Sequence, residues 1–297
     1  MSKTLPSFSD ELAELVRVSD EQIVRIDARR RLPASGVVWS KDGIVLTANH
    51  VVRQDEGISI GLPHGESITA ELLGRDPSTD IAILKVDGAQ LNEPSWADAD
   101  SLNVGNLVLA LGRPGKRLMA TFGVLSAVGD GWRTPGGGWL EQFVQTDVVM
   151  YPGFSGGPLV DARGKFVGMN SSGLMRGASM TVSSSTLELV VPTLLKHGRI
   201  RKGYLGVSLQ PVMLQKKAPK LGDQETGLLV IAIEDKSPAD IGGVVQGDVI
   251  VKVNDQSTRL IDDLMVSLSG ELIGEKTLLH IIRGGEMMEL EIVLGER

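Results

Sequence analysis

From residue 23 to residue 173 the apolar positions come in short bursts, at 36–39, 44–47, 58–62, 81–86, 107–111, 122–128, 143–145 and 166–169. Turn-forming residues separate them. Runs this short and this frequent predict strands closed into barrels or packed as a sandwich. Residues 129–138, Gly-Asp-Gly-Trp-Arg-Thr-Pro-Gly-Gly-Gly, predict an exposed loop. Helical periodicity shows in two places. Over 6–18, Phe8, Leu12, Leu15 and Val16 fall on one stripe, with Ser7 or Ser9 as the cap. Over 184–197, Leu187, Val190, Val191, Leu194 and Leu195 form a stripe, Ser185 and Glu188 have capping-box spacing, and Gly198 can close the helix. Pro192 should kink or restart it.

The basic run at 199–202 reads as a solvated connector. Beyond it the pattern starts afresh, with strand signals at 228–233, 249–253, 277–282 and 288–294. Helix signals lie at 238–242, after the cap Ser237, and at 261–268. The pattern thus divides the chain into a helical segment (1–22), a β-rich domain (23–198) and a second unit of domain size (199–297).

Composition narrows the function classes. Thirty-six Gly and 13 Pro with 4% aromatics, in 297 residues, fit many short strands rather than helical bundles. The net charge of −7 and the lack of a sustained basic patch argue against nucleic acid and an anionic membrane surface. With no Cys, disulfides, thiolate chemistry and Cys-based zinc sites are excluded, and His50, His64, His197 and His280 lack metal-ligand spacing. No metal or cofactor is expected. Residues 1–30 hold no signal-peptide core, because Glu14 and Arg17 interrupt Leu12, Leu15, Val16 and Val18. No stretch approaches the ~20 apolar residues that span a bilayer. The expected compartment is the cytoplasm, or the periplasm or cell envelope if the N-terminus was trimmed.

Candidate chemistry centres on Gly153-Phe154-Ser155-Gly156-Gly157-Pro158-Leu159. Glycines flanking a serine permit a tight turn whose N–H groups converge beside the hydroxyl, where an oxyanion would form. A glycine-rich turn before a strand would read the same way. A serine hydroxyl needs a base, and the base an orienting carboxylate. His50 ends one apolar run and Asp80 precedes another, giving the order His, Asp, Ser. Gly153-x-Ser155-x-Gly157 also fits the nucleophile elbow of α/β-hydrolases, but that fold places its Asp and His after the serine. Here His197 and His280 have no suitable context, and 159–168 reads as a hairpin.

On these residues the chain resembles the HtrA/Deg family of chymotrypsin-like serine proteases, each with a PDZ domain after the protease. The anchors are Thr47-Ala-Asn-His50-Val-Val, Asp76-Pro-Ser-Thr-Asp80-Ile-Ala, Leu111-Gly-Arg-Pro-Gly, Gln145-Thr-Asp and Gly153-Phe-Ser155-Gly-Gly-Pro. In the second unit they are Gly203-Tyr-Leu-Gly-Val207, Ser237-Pro-Ala and Gly247-Asp-Val-Ile. The resemblance implies a mainly β chain, a double β-barrel followed by a PDZ domain (a partly open barrel with two helices). It makes His50 the general base, Asp80 its orienter and Ser155 the nucleophile, with the N–H groups of Gly153 and Ser155 as the oxyanion hole. Phe154 stands where the family usually has Asn, so the turn could need a ligand to reach its working shape.

Val149, six residues before the serine, takes the place of the Asp found in enzymes that cut after Lys or Arg. With Asn170, Ser171, Ser172 and Gly173 as the other pocket residues, no fixed charge lines the pocket, and small or medium apolar residues are the expected preference. Val149 as plain core fits equally. In the second unit Tyr204, Leu205, Gly206 and Val207 resemble the PDZ carboxylate-binding loop, with Met265 and Leu268 lining its pocket. The expected partners are unfolded polypeptides, C-terminal peptides and two further copies of the chain, since the family usually trimerises through an N-terminal segment. The rival reading is a pseudoprotease that works as a chaperone-like peptide-binding module.

Overall fold

In the computed structural model, residues 4–30, 32–201, 203–214, 221, 223–268 and 272–296 are described. Lys202, in the expected connector, lies outside them. The chain divides into two compact units, 1–200 and 201–297.

The first unit opens with a helix, α1 (Thr4–Ser19). It starts earlier than expected: Pro6 sits in its first turn, where a missing N–H costs nothing. Ser7 and Ser9 therefore lie inside the helix, and the Ser7 hydroxyl donates to Glu11 (3.2 Å). Six strands follow: β1 (Ile23–Asp27), β2 (Ala34–Ser40), β3 (Ile44–Ala48), β4 (Ile58–Gly61), β5 (Ser67–Asp76) and β6 (Ile81–Val86). They close into an antiparallel barrel in the order β1-β2-β3-β6-β5-β4.

The second barrel takes β7 (Leu107–Gly112), β8 (Met119–Gly129), β11 (Phe143–Thr146), β12 (Pro158–Asp161), β13 (Phe166–Ser171) and β14 (Ser179–Ser183), in the order β11-β14-β13-β12-β7-β8. Ile23, Leu46, Ile60, Ile83 and Leu84 of the first barrel are sealed in a core cluster that also takes in Leu109, Leu111, Val160 and Phe166 of the second; Leu125, Val144, Phe154, Leu159 and Val167 form a separate cluster within the second. The double barrel is thus the architecture the resemblance implies.

The stretch 129–138 is not simply exposed. It contributes to a small hairpin, β9 (Trp132–Arg133) with β10 (Trp139–Leu140), and Thr134 is buried, its hydroxyl donating to the Ser78 carbonyl (2.6 Å). The side chain turns the loop inward to satisfy a buried carbonyl. Helix α2 (Ser184–His197) closes the unit, with Ser183, not Ser185, as its cap, and runs through Pro192 as one element. Gly198 ends it in the left-handed region (φ 72°).

The second unit is built on the sheet β16-β17-β18-β20-β21: β16 (Val207–Met213), β17 (Thr226–Ile233), β18 (Val249–Val253), β20 (Lys276–Arg283) and β21 (Glu286–Val293). Beside it lie α3 (Pro238–Ile241), capped by Ser237 as expected, and α4 (Ile261–Ser267). Strand β16 carries Pro211, which only an edge tolerates, and β16 is an edge. Among the described residues no helix is long and apolar enough to cross a membrane.

Candidate active site

Strand pairing in the first barrel brings the candidate base and its orienter together. Residues β3 Ala48 and β6 Ile81 are paired, so the turn after β3 and the residue before β6 emerge side by side. Asn49 N–H donates to the Asp80 carbonyl (3.0 Å). Asp80 takes a left-handed backbone (φ 60°), unusual outside glycine, which aims its carboxylate at the turn. Oδ1 accepts from the His50 backbone N–H and Oδ2 pairs with His50 Nδ1, each at 2.8 Å. A carboxylate oxygen only accepts, so Nδ1 carries a proton, and in the neutral ring that tautomer leaves the lone pair on Nε2. Asp80 is 5% exposed. This buried carboxylate holds three hydrogen bonds, because Ser171 Oγ also donates to Oδ2.

The second barrel supplies the serine, on the turn between β11 and β12. Gly153 and Gly156 take φ values of 94° and 89°, closed to other residues without strain. At Gly156 the backbone also comes so close that an added Cβ would lie 2.1 Å from the Ser35 carbonyl oxygen. Ser35 ties this turn to the first barrel: its N–H donates to the Ser155 carbonyl (3.2 Å) and its hydroxyl to the Gly153 carbonyl (2.7 Å). Phe154 points away from the hydroxyl into the barrel, where it is fully buried against Tyr151 (ring centroids 5.8 Å apart). Among the described residues the N–H groups of Gly153 and Ser155 donate to no protein atom, while those of Phe154, Gly156 and Gly157 are all used.

The site therefore gathers His50, Asp80 and Ser155, but its last link is open. Among the described residues Ser155 Oγ hydrogen-bonds only with Ser172, at 2.9 Å from its Oγ and 3.3 Å from its N.

The expected pocket lining needs correcting. Asn170 is fully buried; its amide donates to the Pro158 carbonyl (2.7 Å) and accepts from Thr181 (3.0 Å), while its backbone brackets Gly156 and Gly157. It braces the serine turn. Ser171 is equally buried and spends its hydroxyl on Asp80. Neither is exposed to an open pocket, because every residue of this strand is buried, on both of its faces. Ser172 and Gly173 are exposed beside the site, and a Cβ at Gly173 would lie 2.7 Å from His50 Nδ1. Val149 is 56% exposed, which removes the reading of it as core. Sequence reasoning missed Ser35 altogether, and placed Asn170, Ser171 and Ser172 at the site as pocket lining without the hydrogen bonds they make there. Only folding brings them to the site.

In the second unit, a groove of about 550 Å³ runs between β16 and α4. Its apolar wall includes Leu205, Val207, Ile261, Leu264, Met265 and Leu268, and Tyr204 and Gly206 sit at its end. Gly206 takes φ 79° and lies so close to Ser237 that any Cβ there would collide with it. The N–H groups of Leu205 and Gly206 have no backbone partner among the described residues.

Comparison with known proteins agrees with both halves. Residues 34–169 match the trypsin-like peptidase domain family and 203–294 the PDZ domain family. A probable periplasmic serine endoprotease, DegP-like, of Pseudomonas putida is 40% identical over 300 residues. That match takes in 98% of this chain and 62% of the relative. One of the same description from Brucella suis is 34% identical over 269 residues, 88% of this chain and 52% of the relative. The chain thus spans about three fifths or less of the length of the curated relatives it matches. Among solved structures, the HtrA-type protease AlgW with a tripeptide superposes with a TM-score of 0.79 at 30% identity, covering 96% of this chain and 97% of that one. The serine endoprotease from Yersinia pestis gives 0.78 at 26% identity, covering the same shares. The relatives named periplasmic lend the expected cytoplasmic compartment no support.

Proposed function

We propose, because the chain belongs to the HtrA family of serine proteases with a PDZ domain, that it is a serine endopeptidase of unfolded or damaged polypeptides. The observation that carries the reading is the His50–Asp80 pair, doubly hydrogen-bonded at 2.8 Å, facing a serine on a glycine turn with two uncommitted N–H groups. Ser155 Oγ attacks the peptide carbonyl carbon and its proton passes to His50 Nε2. The resulting oxyanion takes hydrogen bonds from the Gly153 and Ser155 N–H groups, each such donor being worth about 10²–10³ in rate. His50 then protonates the leaving amine, the C–N bond breaks, and an ester on Ser155 remains. Water, deprotonated by His50, attacks the ester; the acyl bond to Ser155 Oγ breaks as His50 returns the proton to that oxygen, and the acid leaves.

Exposed Val149, Ser172 and Gly173 carry no charge themselves, which supports cleavage after small or medium apolar residues. A cleavage site must be extended to enter, which selects unfolded segments. The groove beside Leu205 and Gly206 fits a peptide added to the β16 edge, its terminal carboxylate on the free N–H groups and its apolar side chain against Leu264, Met265 and Leu268. Such binding would regulate the protease. The likeness to relatives named periplasmic favours the periplasm as the place of action.

We also propose a homotrimer. Leu12, Leu15 and Val16 pack on the chain's own barrel, so the stripe as a whole is not free. Leu5 (76% exposed), Phe8 and Phe122, the last two stacked edge-to-face at 5.9 Å, remain for a neighbour.

Digestion of casein, with the new C-termini mapped by mass spectrometry, tests the reading. Cuts should follow apolar residues and speed up with an added peptide ending in a free apolar carboxylate, but not with its amide. Casein left as intact as with Ser155→Ala would favour the peptide-binding rival.

A further inference from the structure

The open link at Ser155 has a definite occupant. Ser172 offers it two groups, a hydroxyl at 2.9 Å and a backbone N–H at 3.3 Å. A serine hydroxyl has one proton and two lone pairs. If Ser155 donates to Ser172, the proton that His50 must remove is directed elsewhere. If Ser172 donates instead, both lone pairs of Ser155 Oγ carry hydrogen bonds, one from the N–H and one from the hydroxyl, which makes the oxygen a poorer nucleophile. Either way the contact holds the hydroxyl back from chemistry.

The surroundings hold Ser172 in place. Its neighbour Ser171 is fully buried with its hydroxyl on Asp80, and Gly173 N–H donates back to Ser171 Oγ (3.0 Å). Residue 172 cannot drift without pulling Ser171 off the carboxylate. Its side chain is nevertheless exposed and packs into no core, so the hydroxyl's contact with Ser155 is its one evident task.

We infer that Ser172 is a positioning residue whose hydroxyl latches Ser155 in a resting orientation, turned from His50, so that it sets how much of the unliganded enzyme has a reactive nucleophile. The inference rests on the reading of Ser155 as the nucleophile. Only the side-chain half of the latch is removed by substitutions such as Ala or Gly, since every residue but proline keeps the N–H.

The test is the second-order rate at which a small alkyl fluorophosphonate phosphonylates the full chain, without peptide. The Ser155 oxygen–phosphorus bond forms as fluoride leaves, and the hydroxyl proton goes to His50. Removing one neutral hydrogen bond should raise the rate about two- to tenfold in Ser172→Ala. Ser172→Gly, also without the hydroxyl, should follow it, and Ser172→Thr, which restores a hydroxyl, should return to within twofold of the wild type. A merely structural role would slow the reaction and would not be rescued by Thr. Ala and Gly variants reacting no faster than the wild type, or a Thr variant reacting as fast as Ala, would overturn the latch. Wild type labelled no more than Ser155→Ala would instead sink the nucleophile assignment itself, a separate result.

Discussion

Phe154 lies one residue before the candidate nucleophile and fills the second barrel, so replacing it links stability to catalysis. Its ring is fully buried among Leu125, Val144, Val148, Leu159 and Val167 and stacks edge-to-face on Tyr151. Phe154→Ala removes this contact and leaves a cavity, which costs about 3–5 kcal/mol in well-packed cores. The unit holds 200 residues. At ~2–4 °C per kcal/mol for a domain of this size, its calorimetric transition should fall by about 6–20 °C. Phe154→Asn, the residue the family usually carries, should cost at least as much, because its amide would sit in an apolar site without a partner. Phe154→Leu, which keeps most of the volume, should cost much less. Catalysis should fall as well. The ring anchors the backbone of 153–155, so a loosened turn presents its N–H groups poorly, and kcat should drop about tenfold or more with KM within twofold. A Tm loss under about 3 °C in Phe154→Ala would refute the packing argument. A full stability loss with unchanged kcat would refute the link to the turn.

Asp80→Asn should leave the fold intact but lower kcat/KM by about 10⁴-fold, since an amide facing Nδ1 favours the tautomer with a protonated Nε2; activity within tenfold of the wild type would contradict the orienter role. In isothermal titration of the full chain, a peptide ending in a free apolar carboxylate should bind and its amide should bind at least tenfold more weakly, with equal affinity ruling out the carboxylate loop. Light scattering at micromolar concentration should give three times the chain mass, shifting towards monomer in Leu5→Ala plus Phe8→Ala, which spares the Leu12 contact with the chain's own barrel. A wild type of monomeric mass would end the trimer proposal.

Much of this molecule can be read from its residues because the relevant signals are local. The short apolar bursts mark eight of the twelve barrel strands, leaving out β1, β5, β12 and β14, and the order His50, Asp80, Ser155 argues against the hydrolase elbow. What stayed hidden depends on long-range contact. Ser35 reaches the Gly153 carbonyl across 118 residues, and nothing in its own neighbourhood marks it. Asn170 and Ser171 sit on a strand whose alternation is visible, but which face meets Asp80 is decided by how the barrels pack. Strand β16 was missed because Pro211 reads as a breaker until its place at a sheet edge is known. The start of α1 was misplaced because Ser7 and Ser9 resemble caps, whereas Pro6 already belongs to the first turn.

The central claim is that Ser155 becomes covalently acylated with His50 as its base. The direct measurement is to mix the chain with a p-nitrophenyl ester of acetyl-valine, quench in acid during turnover, and locate the acyl group by tandem mass spectrometry. The account predicts one acetyl-valyl group on Ser155, forming orders of magnitude more slowly in His50→Ala. An acyl group on another residue, or undiminished acylation in His50→Ala, would contradict it.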